Sequence, residues 1–339
     1  LRDFYKLVTA NINLTMENRT TAINLMNRLG TLKIPFLFII DFEMKNPVII
    51  ELDKVNKNKI KYRLKNLSNY NDDSVLNSKL DFKIKPISYN DYVDSFNVVM
   101  KNILAGNTYL CNLTFPTQIE SNYSLKELFF ISRAKYKLFF EDRFIVFSPE
   151  SFVKINDGRI YSFPMKGTID ASIPDAAEKI LGDGKELAEH NTIVDLIRND
   201  LSIIATDVRV ESFRYIDKII TNKKNLLQVS SKISGRLPGD YNSRIGEIIF
   251  KLLPAGSISG APKKKTVEII KSAEIYNRDY YTGVFGIFDG LNLDSAVMIR
   301  FIEKTGDLFY FKSGGGITFA SKPENEYQEL IDKVYVPII

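Results

Sequence analysis

Three short apolar runs crowd the middle of the chain with little between them: Phe144–Phe147, Phe152–Ile155 and Arg159–Phe163. Ser148-Pro149-Glu150 separates the first two, and Asn156-Asp157-Gly158 the last two. Asn-Asp-Gly is a hairpin turn signal. The pattern continues along the chain, where Thr108–Phe115, 207–211, 226–236, Tyr281–Phe288, Ala296–Glu303 and Leu308–Lys312 read as extended. Helical spacing lies between these runs. Tyr92, Phe96, Val99 and Ile103 share one face, with Gly106 as a stop. Residues 185–203 and Ser243–Leu252 read as helices, Pro262 opens one running to about Ala273, and Pro323 another to about Val334. Strands joined by hairpins, with helices laid outside, predict an α/β domain of the α+β type with mainly antiparallel sheets.

The chain before Ser88 is less regular. A helical pattern lies near Met16–Leu29, and strands near Pro35–Phe42 and Val48–Leu52. Asp53–Asp81 is rich in Lys, Asn, Ser and Asp and reads as a loop or linker. Apolar residues make up 45% and charged residues 26%, which excludes wholesale disorder. Lys and Arg number 46 against 41 Asp and Glu, a net charge of +5, too small for a polybasic nucleic-acid sleeve. The single cysteine, Cys111, excludes an intramolecular disulfide framework, and the single histidine, His190, excludes a His-rich metal site. No apolar run approaches the ~20 residues that span a bilayer. The leading residues, Leu-Arg-Asp-Phe-Tyr-Lys, lack the layout of a secretory signal. The expectation is a cytoplasmic protein that binds neither membrane nor nucleic acid.

Two glutamate pairs stand out for chemistry. Glu186 and Glu189, like Glu326 and Glu329, are three residues apart in expected helices, so each pair presents two carboxylates on one face. Taken alone, such pairs are usually solvated surface. Should the two faces meet, they would need a cation, and hard oxygen ligands suit Mg²⁺. Ser313-Gly314-Gly315-Gly316-Ile317 reads as a loop joining a strand to the last helix, either a flexible turn or a cradle of amides for an anion. Pro254–Lys263 is a Gly/Ser loop leading into a helix N-terminus, and Lys263-Lys264-Lys265 reads as a solvated face. Lys166 lies in Phe163-Pro-Met-Lys-Gly-Thr168. It is either a surface turn residue or a lysine made nucleophilic by desolvation.

In order along the chain, these pieces resemble the chorismate-using enzymes: anthranilate, aminodeoxychorismate, isochorismate and salicylate synthases. The resemblance runs from about Ser88 to Val336. It rests on Gly106–Thr114, Ser148-Pro-Glu150, Pro164-Met-Lys-Gly-Thr168, Glu186-Leu-Ala-Glu-His190 and Ile193–Asp200. It continues through Gly256–Lys263, Arg300, Ser313–Gly316 and Glu326-Tyr-Gln-Glu329. Lysine rather than alanine before Gly167-Thr168 makes the chain similar to component I of aminodeoxychorismate synthases.

That resemblance implies two large, mainly antiparallel sheets packed together with a cleft between them. It implies a catalytic domain over residues 88–339, with 1–87 as a short partial N-terminal extension packing on it. It implies conversion of chorismate and ammonia to 4-amino-4-deoxychorismate, the p-aminobenzoate and folate precursor, with ammonia supplied by a glutamine amidotransferase partner. Lys166, as a neutral amine, would attack the ring. Glu150 would be the general acid/base, and Mg²⁺ would be held by Glu186, Glu189, Glu326 and Glu329. Arg300, Tyr281, Ser257, Thr168, Lys333 and the amides of Gly314, Gly315 and Gly316 would bind the substrate. Gln228 stands where relatives carry a histidine, so it can hydrogen-bond there but cannot act as an imidazolium. His190 belongs to the Glu-His motif instead and reads as structural, and Cys111 as buried packing. The competing expectations are anthranilate or isochorismate synthesis, and a non-catalytic chorismate-binding subunit.

Overall fold

The computed structural model describes residues 18–71, 79–219 and 225–338. The leading hexapeptide and the first two residues of the expected helix at 16–29 lie outside them. In chain order the early elements are α1 (Arg19–Thr31), β1 (Phe36–Ile40), β2 (Val48–Glu51), β3 (Ile60–Leu64), β4 (Leu67–Ser68), β5 (Phe82–Lys85) and α2 (Tyr89–Leu104). There follow β6 (Leu110–Ser121), α3 (Leu125–Ile131), β7 (Tyr136–Phe140), β8 (Phe144–Ser148), β9 (Ser151–Asn156), β10 (Arg159–Ser162) and β11 (Met165–Asp170). Then come α4 (Ala176–Gly182), α5 (Gly184–Ser202), β12 (Thr206–Ile219), β13 (Leu226–Arg236), α6 (Ile245–Leu252), β14 (Gly260–Ala261) and α7 (Lys263–Ala273). The last elements are β15 (Val284–Phe288), β16 (Leu293–Val297), β17 (Phe301–Thr305), β18 (Leu308–Ile317) and α8 (Pro323–Asp332).

The strands form two sheets in which each described pairing is antiparallel. The first has the order β11-β13-β10-β9-β16-β15-β1-β2, with β12 beside β13. The second has the order β14-β6-β18-β17-β8-β7-β3-β4, with β5 beside β6. Helix starts are capped as short polar side chains allow: Asn18 accepts from the Thr21 amide, and Ser124 and Glu127 form a capping box on α3.

Strand β1 shows how the layers are filled. Successive side chains of a strand point to opposite faces. Phe36, Phe38 and Ile40 join a core with Met26 of α1 and Ile249 of α6. Leu37 and Ile39 join a second core with Tyr136, Leu138 and Val146 of the other sheet. A strand buried on both faces is apolar throughout, which is why Phe36–Ile40 carries no alternation. A third core, with Leu128 and Phe129 of α3, lies against Ile145, Phe147 and Phe311 of the second sheet.

Three expectations need correction. The stretch read as a linker contains β3, whose Ile60, Tyr62 and Leu64 are buried against β7. Its apolar residues alternate with Lys61 and Arg63, and that period of two was hidden by the polar composition around it. The Ser313–Gly316 run is not a loop: it is the end of β18, paired with Phe115 through Asn112 of β6. Ala296–Glu303 is two strands, because the chain breaks at Met298–Arg300, where Arg300 takes φ +52°. The Ser148-Pro149-Glu150 link, which separates two expected strands, crosses between the sheets: β8 lies in the second and β9 in the first.

The Ser148–Glu150 link and the Met298–Arg300 break position the site. Both irregular links carry the chain from one sheet to the other, and they lie side by side. The Val297 amide donates to the Glu150 carbonyl at 3.2 Å, and the Phe147 amide to the Arg300 carbonyl at 3.1 Å. Glu150 and Arg300 thus sit together at the seam between the sheets. The Asn156-Asp157-Gly158 turn does form the expected hairpin, β9 with β10.

Candidate active site

Lys166 stands on β11 at a bulge. Pairing with β13 shifts register between Lys166 and Thr168, and Gly167 between them takes φ +76°. A bulge of this kind re-aims the neighbouring side chain, and glycine meets its left-handed backbone without strain. Gly167 is also pressed from outside, because a β-carbon there would stand 2.9 Å from Glu186 Oε2. The Lys166 ammonium donates to Glu189 Oε2 at 2.8 Å.

The glycines of β18 form the opposite wall. A β-carbon at Gly316 would lie 3.9 Å from Lys166 Nζ. One at Gly315 would lie 3.4 Å from Glu326 Oε2 and 3.5 Å from Glu329 Oε1. Bare backbone on the strand lets α8 bring its carboxylates close. Lys333, the C-cap of α8, donates to the Gly314 carbonyl at 2.8 Å and to Glu329 Oε1 at 2.5 Å. The two glutamate pairs therefore meet across one cleft, with Lys166 between them.

The electrostatics follow from this crowding. Burial alone would lower the Lys166 pKa, yet the charges of Glu189, Glu329 and Glu186 outweigh it and hold the pKa above its ordinary value. With the carboxylates bare, the ammonium form of the side chain is favoured. Lys333 is shifted down, chiefly by burial, with Arg300 and Lys166 adding repulsion and Glu329 offsetting part of it. Glu150 accepts from Ser257 Oγ at 2.5 Å. Burial raises its pKa above the usual carboxylate value, against the opposing pull of Ser257, Arg300, Lys333 and Lys166. The guanidinium of Arg300 lies 5.3 Å from the Tyr335 ring, and its buried Nε has no hydrogen-bond partner among the described residues. A buried donor without an acceptor is costly unless a ligand supplies one.

Thus Glu150, Lys166, Glu186, Glu189, Ser257, Arg300, Gly314, Gly315, Gly316, Glu326, Glu329 and Lys333 come together. Three expected residues show no such engagement. Thr168 is exposed, faces Gln228 across the β11–β13 pairing, and like Gln228 makes no side-chain hydrogen bond among the described residues. Tyr281 feels the Arg300 charge but is 3% exposed and packs its ring on Phe301.

His190 is buried, with Nε2 2.7 Å from Ser231 Oγ, and desolvation pushes its pKa down to about 4, so it is neutral. Cys111 is buried on β6, where desolvation pushes its thiol up to about 12.

Sequence reasoning missed two ion pairs that hold this site. Asp200, at the end of α5, pairs with Lys263 at 2.8 Å, and Lys263 also donates to the Leu252 carbonyl at 2.9 Å. Lys263 is therefore not solvated surface. Glu274 and Arg278 form a bidentate pair at 2.6 and 2.8 Å, both side chains 2% exposed. Arg278 also donates to the carbonyls of Ile258 and Asn112, tying the Ser257 loop to β6. The available signal was opposite charges four residues apart in the Glu274–Arg278 segment.

No three Asp, Glu, His or Cys side chains among the described residues lie close enough to ring a metal ion. The donor set nevertheless fits Mg²⁺, which takes one or two direct carboxylates and keeps several waters. Lys166 already stands among these carboxylates as a counter-charge, donating to Glu189 at 2.8 Å.

The sequence pattern of the family described as chorismate binding enzymes matches residues 38–338. The chain belongs to that family. An uncharacterized PabA-like protein of Haemophilus influenzae is 48% identical, over 92% of this chain and 95% of the relative. Aminodeoxychorismate synthase component 1 of Salmonella typhimurium is 30% identical, over 72% of this chain and 56% of the relative. Among solved structures, the menaquinone-specific isochorismate synthase MenF of Escherichia coli shares the fold with a TM-score of 0.73, at 16% identity over 96% of this chain and 83% of that one. This member of the chorismate binding enzymes is thus related to aminodeoxychorismate synthase, with the family's two antiparallel sheets and flanking helices. No helix among the described residues is long and apolar enough to cross a membrane.

Proposed function

We propose that the protein converts chorismate and ammonia to 4-amino-4-deoxychorismate, with ammonia supplied by a glutamine amidotransferase. The observation that carries this reading is the lysine amine at position 166, held between two carboxylate pairs in the cleft. Lys166 first gives one proton to Glu189, which it already meets at 2.8 Å, and the neutral Nζ then forms a bond to C2 of chorismate while the ring double bonds shift and the C4–O bond breaks. Glu150, whose pKa burial raises, protonates the departing hydroxyl. Ammonia then bonds to C4, the double bonds return, and the C2–Nζ bond breaks with its electron pair left on Lys166. The added nitrogen loses one proton to Glu150, now the base. Arg300 offers its unmet Nε donor to a substrate carboxylate, and Lys333 supplies a second positive charge near the Gly314–Gly316 strand. Thr168, Tyr281 and Gln228 are assigned to the periphery of the substrate. Mg²⁺, when held by members of the Glu186, Glu189, Glu326 and Glu329 set, would neutralise carboxylate charge and receive the ring carboxylate. In this reading residues 88–339 carry the chemistry, and the described strands within residues 1–87 complete the sheets around it.

Product analysis tests the assignment. Chorismate, ammonium and Mg²⁺ are expected to yield an amino product that a lyase turns into p-aminobenzoate. Anthranilate or isochorismate instead would overturn the reaction, and chorismate binding without turnover would make the protein a non-catalytic subunit. Glu329→Gln is expected to raise the Mg²⁺ concentration needed for half-maximal rate by on the order of 10–100-fold. An unchanged metal response would remove Glu329 from the cation set.

A further inference from the structure

A second space adjoins the cleft, and the reaction as written does not use it. It is a cavity of about 30 Å³ whose lining includes Glu150, Ser257, Phe163, Ile197, Leu201 and Asp200. A cavity that size admits a water-sized molecule. It is far too small for a ring bearing two carboxylates, since sites for such ligands run to hundreds of Å³. Its walls are mostly apolar, and apolar walls disfavour an ion and favour a small neutral molecule. Two polar anchors remain. The Glu150 carboxyl with its Ser257 partner forms one, and the Asp200 carboxylate, charge-balanced by Lys263 at 2.8 Å, forms the other. Between them a small molecule with several N–H donors finds acceptors without adding charge. The arrangement is braced: a β-carbon at Gly256 would come within 3.1 Å of Asp200 Oδ2 and of the Leu196 side chain, so the Ser257 loop packs directly on α5.

We propose that this cavity is the waiting site for ammonia, which binds there as the neutral molecule and leaves it past Glu150 for C4 of the lysine-bound ring. The proposal rests on the aminodeoxychorismate reading. It adds that the two substrates occupy different compartments, with Glu150 belonging to both. Ammonia keeps its three protons in the cavity and gives one to Glu150 only as the N–C4 bond forms.

Filling the space tests this. Ile197→Phe is expected to raise the KM for ammonium by roughly tenfold or more. The KM for chorismate and the rate at which the Lys166 adduct forms without ammonium are expected to hold. Should Ile197→Phe fail to fold, Val297→Ile, one methylene larger on the same lining, is expected to show the same split with a smaller shift. An unaltered ammonium KM in a folded variant would sink the cavity assignment, and so would equal shifts in both KM values. Wild-type protein that forms no amino product would refute the underlying reading before any variant is measured. A working wild type with indifferent variants would refute the cavity alone.

Discussion

Lys166→Ala is expected to abolish product formation, by on the order of 10⁴-fold or more, because a covalent route cannot start without its nucleophile. Chorismate binding should survive, since Arg300 and Lys333 remain to meet its carboxylates. Intact-mass spectrometry checks both halves of the claim. Wild-type protein incubated with chorismate and Mg²⁺ but no ammonium should gain the mass of a ring lacking its hydroxyl. The variant should gain nothing. Full turnover by the variant would show that Lys166 serves Glu189 as a counter-ion and nothing more.

Arg278→Met should carry the largest cost in stability, about 3–5 kcal/mol, because it leaves the Glu274 carboxylate buried without its partner. The neighbourhood leaves little relief. Glu274 Oε1 already accepts from the Thr114 amide and hydroxyl at 2.9 and 2.7 Å, and Tyr276 closes the network at 2.6 Å from Thr114. The carbonyls of Ile258 and Asn112 would lose their donors as well. Urea denaturation reads the loss as a lower midpoint with an unchanged slope. Pairing the substitution with Glu274→Leu should cost well under the sum of the two single changes, since the charges leave together. Strictly additive losses would show that the ion pair does not act as a unit.

What could be read from the residues was what local spacing encodes. The glutamate pairs on α5 and α8 were legible because three-residue spacing marks one helical face, and the Asn156-Asp157-Gly158 hairpin because its turn residues are specific. Strand β13 matched its expected bounds, 226–236. What escaped depends on partners far along the chain. Nothing near Gly314 says that it pairs with Thr114, so a glycine run reads as a turn. Met298–Arg300 reads as strand because Met298 and Ile299 continue the apolar run, yet two sheets must be joined somewhere and the break falls there. Lys263 reads as surface because its acid, Asp200, is 63 residues away. The charge state of Lys166 was the subtlest case. The motif points to an amine, while the number of carboxylates around it, set by tertiary packing alone, decides whether that amine carries a proton.

The glycine wall of β18 has a genetic corollary. A β-carbon at Gly314 would stand 2.2 Å from the Leu113 carbonyl oxygen, and one at Gly316 would stand 2.9 Å from the Leu110 side chain. Every amino-acid change that a single base substitution makes in a glycine codon adds a β-carbon. Gly314, where the obstacle is backbone, has no conservative neighbour in the code, so in a library of random point variants it should be a gap in the map of survivors, however mild the replacements look on paper, while at Gly316 the leucine tip can shift.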